Sequence, residues 1–134
     1  MAKKSKPASS AGQVRWLDTP QGHDFPAAAS YLGLIAAPDV VSGLVDRLGR
    51  ARIQTHKAKD ILRAARLPLL DASNPHVAAD LAKIAAGEEL SPILLVRGYL
   101  GGGLPLQIAD GYHRVCACYR TDENIDIPCL LVDL

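Results

Sequence analysis

The segment Ile108–Ala117, with the sequence IADGYHRVCA, is the most informative stretch of this 134-residue chain. It begins with residues typical of a strand and continues through Gly111 into a helix, so a strand is expected to deliver Asp110–Arg114 to a tight turn. Unpaired backbone N–H groups and the positive end of the helix dipole converge at the start of a helix. This arrangement favours the binding of an anion.

The side chains of this turn carry hydrogen-bond donors and one carboxylate. Arg114 offers a planar fork suited to bidentate phosphate binding, and His113 can donate a hydrogen bond or move a proton near neutral pH. Gly111 lets a ligand approach the backbone, including the N–H of Tyr112. Two roles are open for Asp110. It can cap the helix, or it can point into the site and hold Mg²⁺ or a substrate hydroxyl. Asp110 and His113 are the candidate catalytic residues, and the competing interpretation is a plain cap with exposed side chains.

The sequence around the turn predicts an α+β fold with a small mixed sheet. Short apolar runs predict strands at 67–70, 92–97, 106–109 and 127–132. Asn74 and Pro75 predict the start of a helix that ends at Gly87, and a second helix is expected over 111–120. The glycines at 101–103 predict a hairpin loop between two of the strands.

The first half of the chain is predicted to be a helical extension that follows a tail. Apolar residues recur at helical spacing in three segments, which begin at Asp24, Pro38 and the cap residue Thr55, and Pro68 ends the third. The first two helices are expected over 25–36 and 38–49. We therefore divide the chain into a flexible tail at 1–22, an all-helical extension at 23–66 and an α+β domain at 67–134.

Charge is distributed unevenly, although the net charge is only +1. Residues 1–66 carry 11 Lys/Arg and 5 Asp/Glu, a net of +6, whereas residues 67–134 carry 4 and 9, a net of −5. The basic residues of one stretch are Arg47, Arg50, Arg52, Lys57, Lys59, Arg63 and Arg66. A basic helix over 47–66 would offer a positive surface to DNA or to another anion. The alternatives are a solvated face, or pairing with the acidic half of a second copy in a homodimer formed through the N-terminal helices.

The composition sets bounds on the class of protein. With 49% hydrophobic and 22% charged residues, a chain of this length can bury a core as one ordinary domain. No apolar run approaches the roughly 18 residues of a membrane span, and none follows the N-terminal lysines, so no membrane partner and a cytoplasmic location are expected. Cys116, Cys118 and Cys129 are expected to be free core thiols, since their spacing to the histidines does not suggest zinc.

The stretch Leu67–Leu134 resembles the ParB/sulfiredoxin superfamily. The resemblance rests on NPHV at 74–77, GEELSPILLV at 87–96, IADGYHRVCA at 108–117 and IPCLLV at 127–132. The DGYHR turn is closest to the DGHHR form of the ADP-dependent free serine kinases. The resemblance implies that nucleotide phosphates are bound by the residues Gly111, Tyr112, His113 and Arg114, with His76 in a loop that faces them. The implied ligand is ATP, ADP or CTP, with Mg²⁺ held by Asp110.

Departures from the superfamily patterns reduce the number of activities that are expected for this chain. Sulfiredoxins place a reactive cysteine before the His-Arg pair, where this chain has Tyr112, so their repair chemistry is not expected. The kinases carry a catalytic glutamate in a region that aligns with 75–77, where this chain has none, and Asp71 or Asp80 would have to replace it. The expected function is nucleotide binding with phosphoryl transfer or hydrolysis, as in a kinase or nucleotidase. The alternatives are a DNA-binding protein or nuclease, and a non-catalytic regulatory module.

Overall fold

Short helices and strands alternate along the chain. The structure is a computed structural model and describes residues 13–134. In chain order the elements are β1 (Arg15–Trp16), α1 (Asp24–Leu32), α2 (Pro38–Arg50), β2 (Gln54–Lys57), α3 (Ala58–Ala65), α4 (Pro75–Ala85), β3 (Glu89–Leu90), β4 (Ile93–Val96), β5 (Gln107–Asp110), α5 (Tyr112–Thr121) and β6 (Asp126–Val132). A single 3₁₀ turn over Leu100–Gly102 lies between β4 and β5. The predicted α+β class is confirmed.

The main sheet has four strands in the order β2-β6-β4-β5. The central pair β4 and β6 is parallel, and the outer pairs β2·β6 and β4·β5 are antiparallel. The residues ILLV of β4 are all buried, as expected for a strand covered on both faces. The expected hairpin is confirmed, since β4 and β5 pair on either side of the glycine-rich loop.

Helices cover both faces of this sheet, and the two faces of β4 belong to separate cores. Leu94 and Val96 pack with α1 and α2, whereas Ile93 and Leu95 pack with α3, α4 and α5. The division follows from the alternation of side chains along a strand. None of the helices in residues 13–134 has the length and apolar character that a membrane crossing requires.

The prediction that 23–66 is all helical is wrong, because this segment supplies the edge strand β2. Thr55 is not a helix cap. It pairs with Pro128 of β6 in the antiparallel register. The helix α3 begins only at Ala58, where the N–H groups of Ala58 and Lys59 donate to the carbonyls of Ile125 and Glu123. Sequence analysis does not detect this strand because its side chains are polar and largely exposed. It therefore lacks the alternation of apolar residues that indicates a strand.

The predicted strand at 67–70 is also absent from the structure. This segment is an irregular connection after α3, which ends at Arg66 in the left-handed conformation with φ 57°. Side chains of α5 donate hydrogen bonds to its carbonyl groups. Tyr112 Oη donates to Pro68 O at 2.6 Å, and Arg120 Nε donates to Leu70 O at 2.8 Å. Pro68 has no N–H to offer a sheet, which explains the failure of the strand prediction.

The flexible-tail prediction is wrong for residues 13–22 and lies outside the described residues for 1–12. The strand β1 pairs in parallel with β3, with Trp16 opposite Leu90. The N–H of Leu17 donates to Leu90 O at 2.8 Å. Trp16 also packs against the core that contains α4 and α5, which explains why this segment is ordered.

The three cysteines are free and buried, as predicted. Cys116 and Cys118 lie on α5 and Cys129 lies on β6. Burial raises the pKa of the Cys118 and Cys129 thiols to about 12 and raises that of Cys116 as well. All three thiols are therefore protonated at neutral pH.

We expect none of these thiols to react with a colorimetric disulfide reagent in the native protein at about pH 8, because the thiolate is the reactive form. In guanidinium chloride all three thiols should react, because the unfolded chain exposes them to the reagent. Counting reacted thiols per chain before and after unfolding is the measurement. A thiol that reacts on mixing in the native state would contradict the buried placement.

Candidate functional site

The turn between β5 and α5 is shaped by Gly111, which has φ +112°. A Cβ atom there would lie 2.4 Å from Cγ2 of Ile93, so the turn needs glycine for both space and backbone conformation. The first backbone bond of α5 runs from Val115 N to Gly111 O at 3.0 Å. The N–H groups of 112–114 therefore have no intrahelical acceptor, and no described side chain caps the helix.

The expectation that Asp110 caps α5 is wrong, because its carboxylate is engaged elsewhere. Arg114 Nη2 donates to Asp110 Oδ2 at 2.8 Å, an ion pair between residues four apart. Burial raises the pKa of the Asp110 carboxyl, and the Arg114 guanidinium opposes that shift. Because Asp110 does not cap α5, the N–H groups in the first turn of the helix are available to a ligand.

Arg114 is held between two carboxylates and still has a donor to spare. Its side chain is 15% exposed, and Nη1 lies 3.8 Å from Oδ1 of Asp24. Its Nε is buried and finds no acceptor among residues 13–134. Protein atoms shield this Nε from the cavity, so a ligand there would meet the exposed part of the guanidinium instead.

Asp24 is a site residue that sequence analysis missed. It is 2% exposed and lies in the first turn of α1, far from the turn in sequence. Its carboxylate accepts hydrogen bonds from Gln21 N at 2.8 Å and from the hydroxyl of Ser91. An Asp at a helix start is ordinarily an exposed cap, so no local sequence signal distinguishes this one.

Two histidines meet beside the turn. The ring centroids of His76 and His113 are 4.7 Å apart. His76 is brought there by the start of α4, where Asn74 Oδ1 accepts from the N–H groups of His76 and Val77 as the sequence predicts. Burial, and then the neighbouring His76, lower the pKa of His113, while Asp80 opposes them. His113 is therefore mainly neutral at pH 7 and can accept a proton.

His76, His113, Asp110 and Arg114 line one cavity of about 300 Å³, and Asp24 lies behind Arg114 outside the lining. Its charged and ionisable lining residues are His76, Asp80, Lys83, Glu89, Asp110, His113 and Arg114. Gln21 and Ser91 close another side, and burial raises the pKa of Asp80. Tyr112 is not among the residues that line the cavity, and its hydroxyl is bonded to Pro68.

The predicted magnesium site at Asp110 lacks the partners that a resident metal needs. Residues 13–134 include no group of three His, Cys, Asp or Glu side chains placed to hold a metal ion. One oxygen of Asp110 is already bonded to Arg114. The site therefore fits an anion held by N–H groups better than a metal held by the protein alone.

The predicted basic helix over 47–66 is wrong, because the stretch spans three elements. Arg47 and Arg50 lie on α2, Lys57 lies on β2, and Lys59 and Arg63 lie on α3. The helices α2 and α3 pack on opposite faces of the sheet, so these cations do not form one stripe. Arg52 and Arg66 lie outside the helices and strands.

Comparisons of this chain with protein-family models, with curated proteins and with solved structures find no match in any of the three. The resemblance to the ParB/sulfiredoxin superfamily therefore stays a prediction. The function has to be inferred from the geometry of the turn and its cavity. That geometry brings together Gly111, His113 and Arg114 with His76, and it adds Asp24.

Proposed function

We propose that this protein binds a nucleotide through its phosphates at the turn Asp110–Arg114. The observation that carries the proposal is the uncapped start of α5, whose first-turn N–H groups have no intrahelical acceptor and no side-chain cap. Beside them lies the Arg114 guanidinium, which is paired with Asp110 but is still 15% exposed and lines the cavity. A phosphate group supplies several acceptor oxygens and negative charge for these donors.

The carboxylates explain how the guanidinium is positioned. Asp110 and Asp24 lie on two sides of Arg114 and orient its planar group. His76 and His113 add donors at the edge of the same cavity. The superfamily resemblance supports a nucleotide, rather than a free phosphate, as the source of this anion.

The proposal extends to phosphoryl transfer or hydrolysis. Such reactions depend mainly on positioning and on neutralising the charge that develops on the phosphate. Arg114 would supply that neutralisation, and a neutral His113 would accept the proton of the attacking hydroxyl or water. Any Mg²⁺ would be brought by the nucleotide and completed by Asp110. Three free, buried thiols support a reducing, cytoplasmic location as part of the same proposal.

Calorimetric titration with ATP, ADP, CTP and GTP, each with and without Mg²⁺, tests the proposal directly. We expect saturable binding of at least one nucleotide with a micromolar Kd. Inorganic phosphate serves as the control that separates nucleotide recognition from simple anion binding. If none of the four nucleotides binds under either condition, the proposed function is wrong.

Nucleotide affinity should increase as the pH falls below 6.5, the ordinary pKa of histidine. The pKa of His113 is lowered in the free protein, and a bound phosphate would raise it, so the complex takes up a proton on His113. The gain ends once the pH falls below the lowered pKa of the free protein. The expected gain is up to about tenfold per pH unit over this window. Titrations at several pH values measure it.

The variant His113→Gln is the control for that pH dependence. Glutamine keeps a hydrogen-bond donor but cannot gain a proton. Titration of the nucleotide affects both proteins equally, so it cancels when their pH profiles of affinity are compared. We expect a flatter pH profile for the variant. Identical profiles for the two proteins would remove His113 from the site.

A further inference from the structure

A second, larger cleft on the molecule is lined by basic residues. Its volume is about 690 Å³, and its cations are Lys57, Lys59, Arg63 and Arg66, against the single lining carboxylate Asp60. It shares no lining residue with the cavity at the DGYHR turn. The proposed nucleotide site therefore does not account for this concentration of positive charge.

The contacts of these cations with the protein lie at the surface, and they include hydrogen bonds from Arg66 Nη1 to Gly103 O at 3.0 Å and from Lys57 Nζ to Asn124 O at 3.4 Å. Arg63 pairs with Asp60 at 3.1 Å and Lys57 lies 3.6 Å from Asp126, but these pairs are solvent-exposed and of low strength. Lys59 forms no ion pair with any residue of 13–134. An incoming polyanion can therefore recruit these side chains at small cost.

The cleft also has a wall that charge alone does not explain. Tyr119, on the last turns of α5, lines it together with Leu67 and Leu69. Tyr119 is half-buried and Leu67 is 38% exposed. Aromatic and apolar surface beside a row of cations is the combination that binds single strands, in which the phosphates meet the charges and the unpaired bases stack.

We propose that this cleft binds single-stranded nucleic acid. The four cations hold successive phosphates, and Tyr119 with Leu67 accommodates a base. A duplex offers its phosphates but keeps its bases stacked inside, so it would leave the apolar wall unused. The proposal is independent of nucleotide binding at Arg114.

The test is fluorescence anisotropy with a labelled oligo(dT) strand at several salt concentrations. Four phosphate contacts predict a slope of about −2.8 for log K against log salt, since each contact on a single strand contributes roughly −0.7. This corresponds to a loss of affinity of about 50-fold between about 50 and 200 mM salt. A duplex of the same length should bind more weakly at each salt concentration.

The chain offers a matched pair of charge variants. The triple variant Lys57→Gln, Lys59→Gln and Arg63→Gln should reduce the slope to about −0.7 and the loss over the same salt range to about 3-fold. The control variant Arg47→Gln, Arg50→Gln and Arg52→Gln removes the same charge from residues that do not line the cleft. It should keep the slope of the parent protein.

A third variant tests the apolar wall without removing charge. Tyr119→Leu retains apolar packing but loses the stacking surface, so it should weaken oligo(dT) binding roughly tenfold with an unchanged slope. Tyr119→Phe should restore the parent affinity. Circular dichroism of each variant confirms that it is folded.

Three outcomes would overturn the proposal. They are an absence of saturable binding at about 50 mM salt, equal loss of slope in the cleft variant and its control, and tighter binding of duplex than of single strand. Arg114→Lys, which keeps the charge beside Asp110 and Asp24, separates the two sites: it should weaken nucleotide binding and leave oligo(dT) binding intact. Nucleic-acid binding that disappears with Arg114→Lys would place the strand at the DGYHR turn instead.

Discussion

Replacing Gly111 with alanine is expected to destabilise the protein by about 3 kcal/mol, from the combined cost of a forbidden backbone conformation and an overpacked core. The residue has φ +112°, and its new Cβ would lie 2.4 Å from Cγ2 of Ile93 and 2.9 Å from Arg114 Nη2. Ile93 is fully buried in β4 and cannot move aside. Urea unfolding measures the change as a lower transition midpoint.

Gly43→Ala is the matched control for that substitution. Gly43 lies in the interior of α2, where a Cβ would meet no other atom within 4 Å. Alanine there should stabilise the protein by up to about 1 kcal/mol, because glycine is a poor helix former. A Gly111→Ala protein that unfolds at the same urea concentration as the parent would show that the turn is not as tight as described.

Substitution of Arg114 should have the largest effect on nucleotide binding. Arg114→Lys keeps the positive charge between Asp110 and Asp24 but loses the planar fork of the guanidinium. We expect its nucleotide affinity to fall at least about 100-fold, since two hydrogen bonds to a charged group contribute about 1.5–3 kcal/mol each. Calorimetric titration of the parent and the variant measures this loss.

The lysine variant is preferred over alanine for this comparison because Arg114→Ala would leave two half-buried or buried carboxylates without a partner and weaken the fold. Arg97→Ala is the matched control. Arg97 is exposed and pairs with Asp133 at the end of the chain, outside the cavity. It should bind nucleotide as the parent does, whereas parent-like binding by Arg114→Lys would refute the assignment of the site.

Elements with strong local signals agree with the sequence predictions. Asn74 and Pro75 start α4 as predicted, because the Asn side chain accepts two first-turn N–H groups and the Pro has no N–H to leave unpaired. The runs at 92–97 and 127–132 become β4 and β6 to within two residues. In each case the information lies within a few positions of the residue concerned.

The missed strands depend on partners that are distant in sequence. Gln54 of β2 pairs with Cys129, and Arg15 of β1 pairs with Glu89. These strands have two to four residues and few apolar side chains, so their pairing, rather than their composition, makes them strands. A single sequence does not reveal such pairing.

The same distinction between local and distant sequence signals applies to the candidate site. The turn from Asp110 to Arg114 is predictable because a strand, a glycine and a helix follow one another in the sequence. Of the two roles that the sequence leaves open for Asp110, the structure excludes the helix cap, because the carboxylate is bonded to Arg114 instead. Asp24 and Ser91 come from other parts of the fold, so only the structure reveals them.

The burial of Asp24 against Arg114 has a consequence for the order in which the protein matures during synthesis. Asp24 leaves the ribosome 90 residues before Arg114, a delay of roughly 5 to 20 s at about 5–20 residues per second. Throughout that interval α1 contains a carboxylate whose cationic partner does not yet exist. The ion pair between Asp24 and Arg114 can therefore form only after α5 has emerged, so this part of the site is assembled late relative to α1.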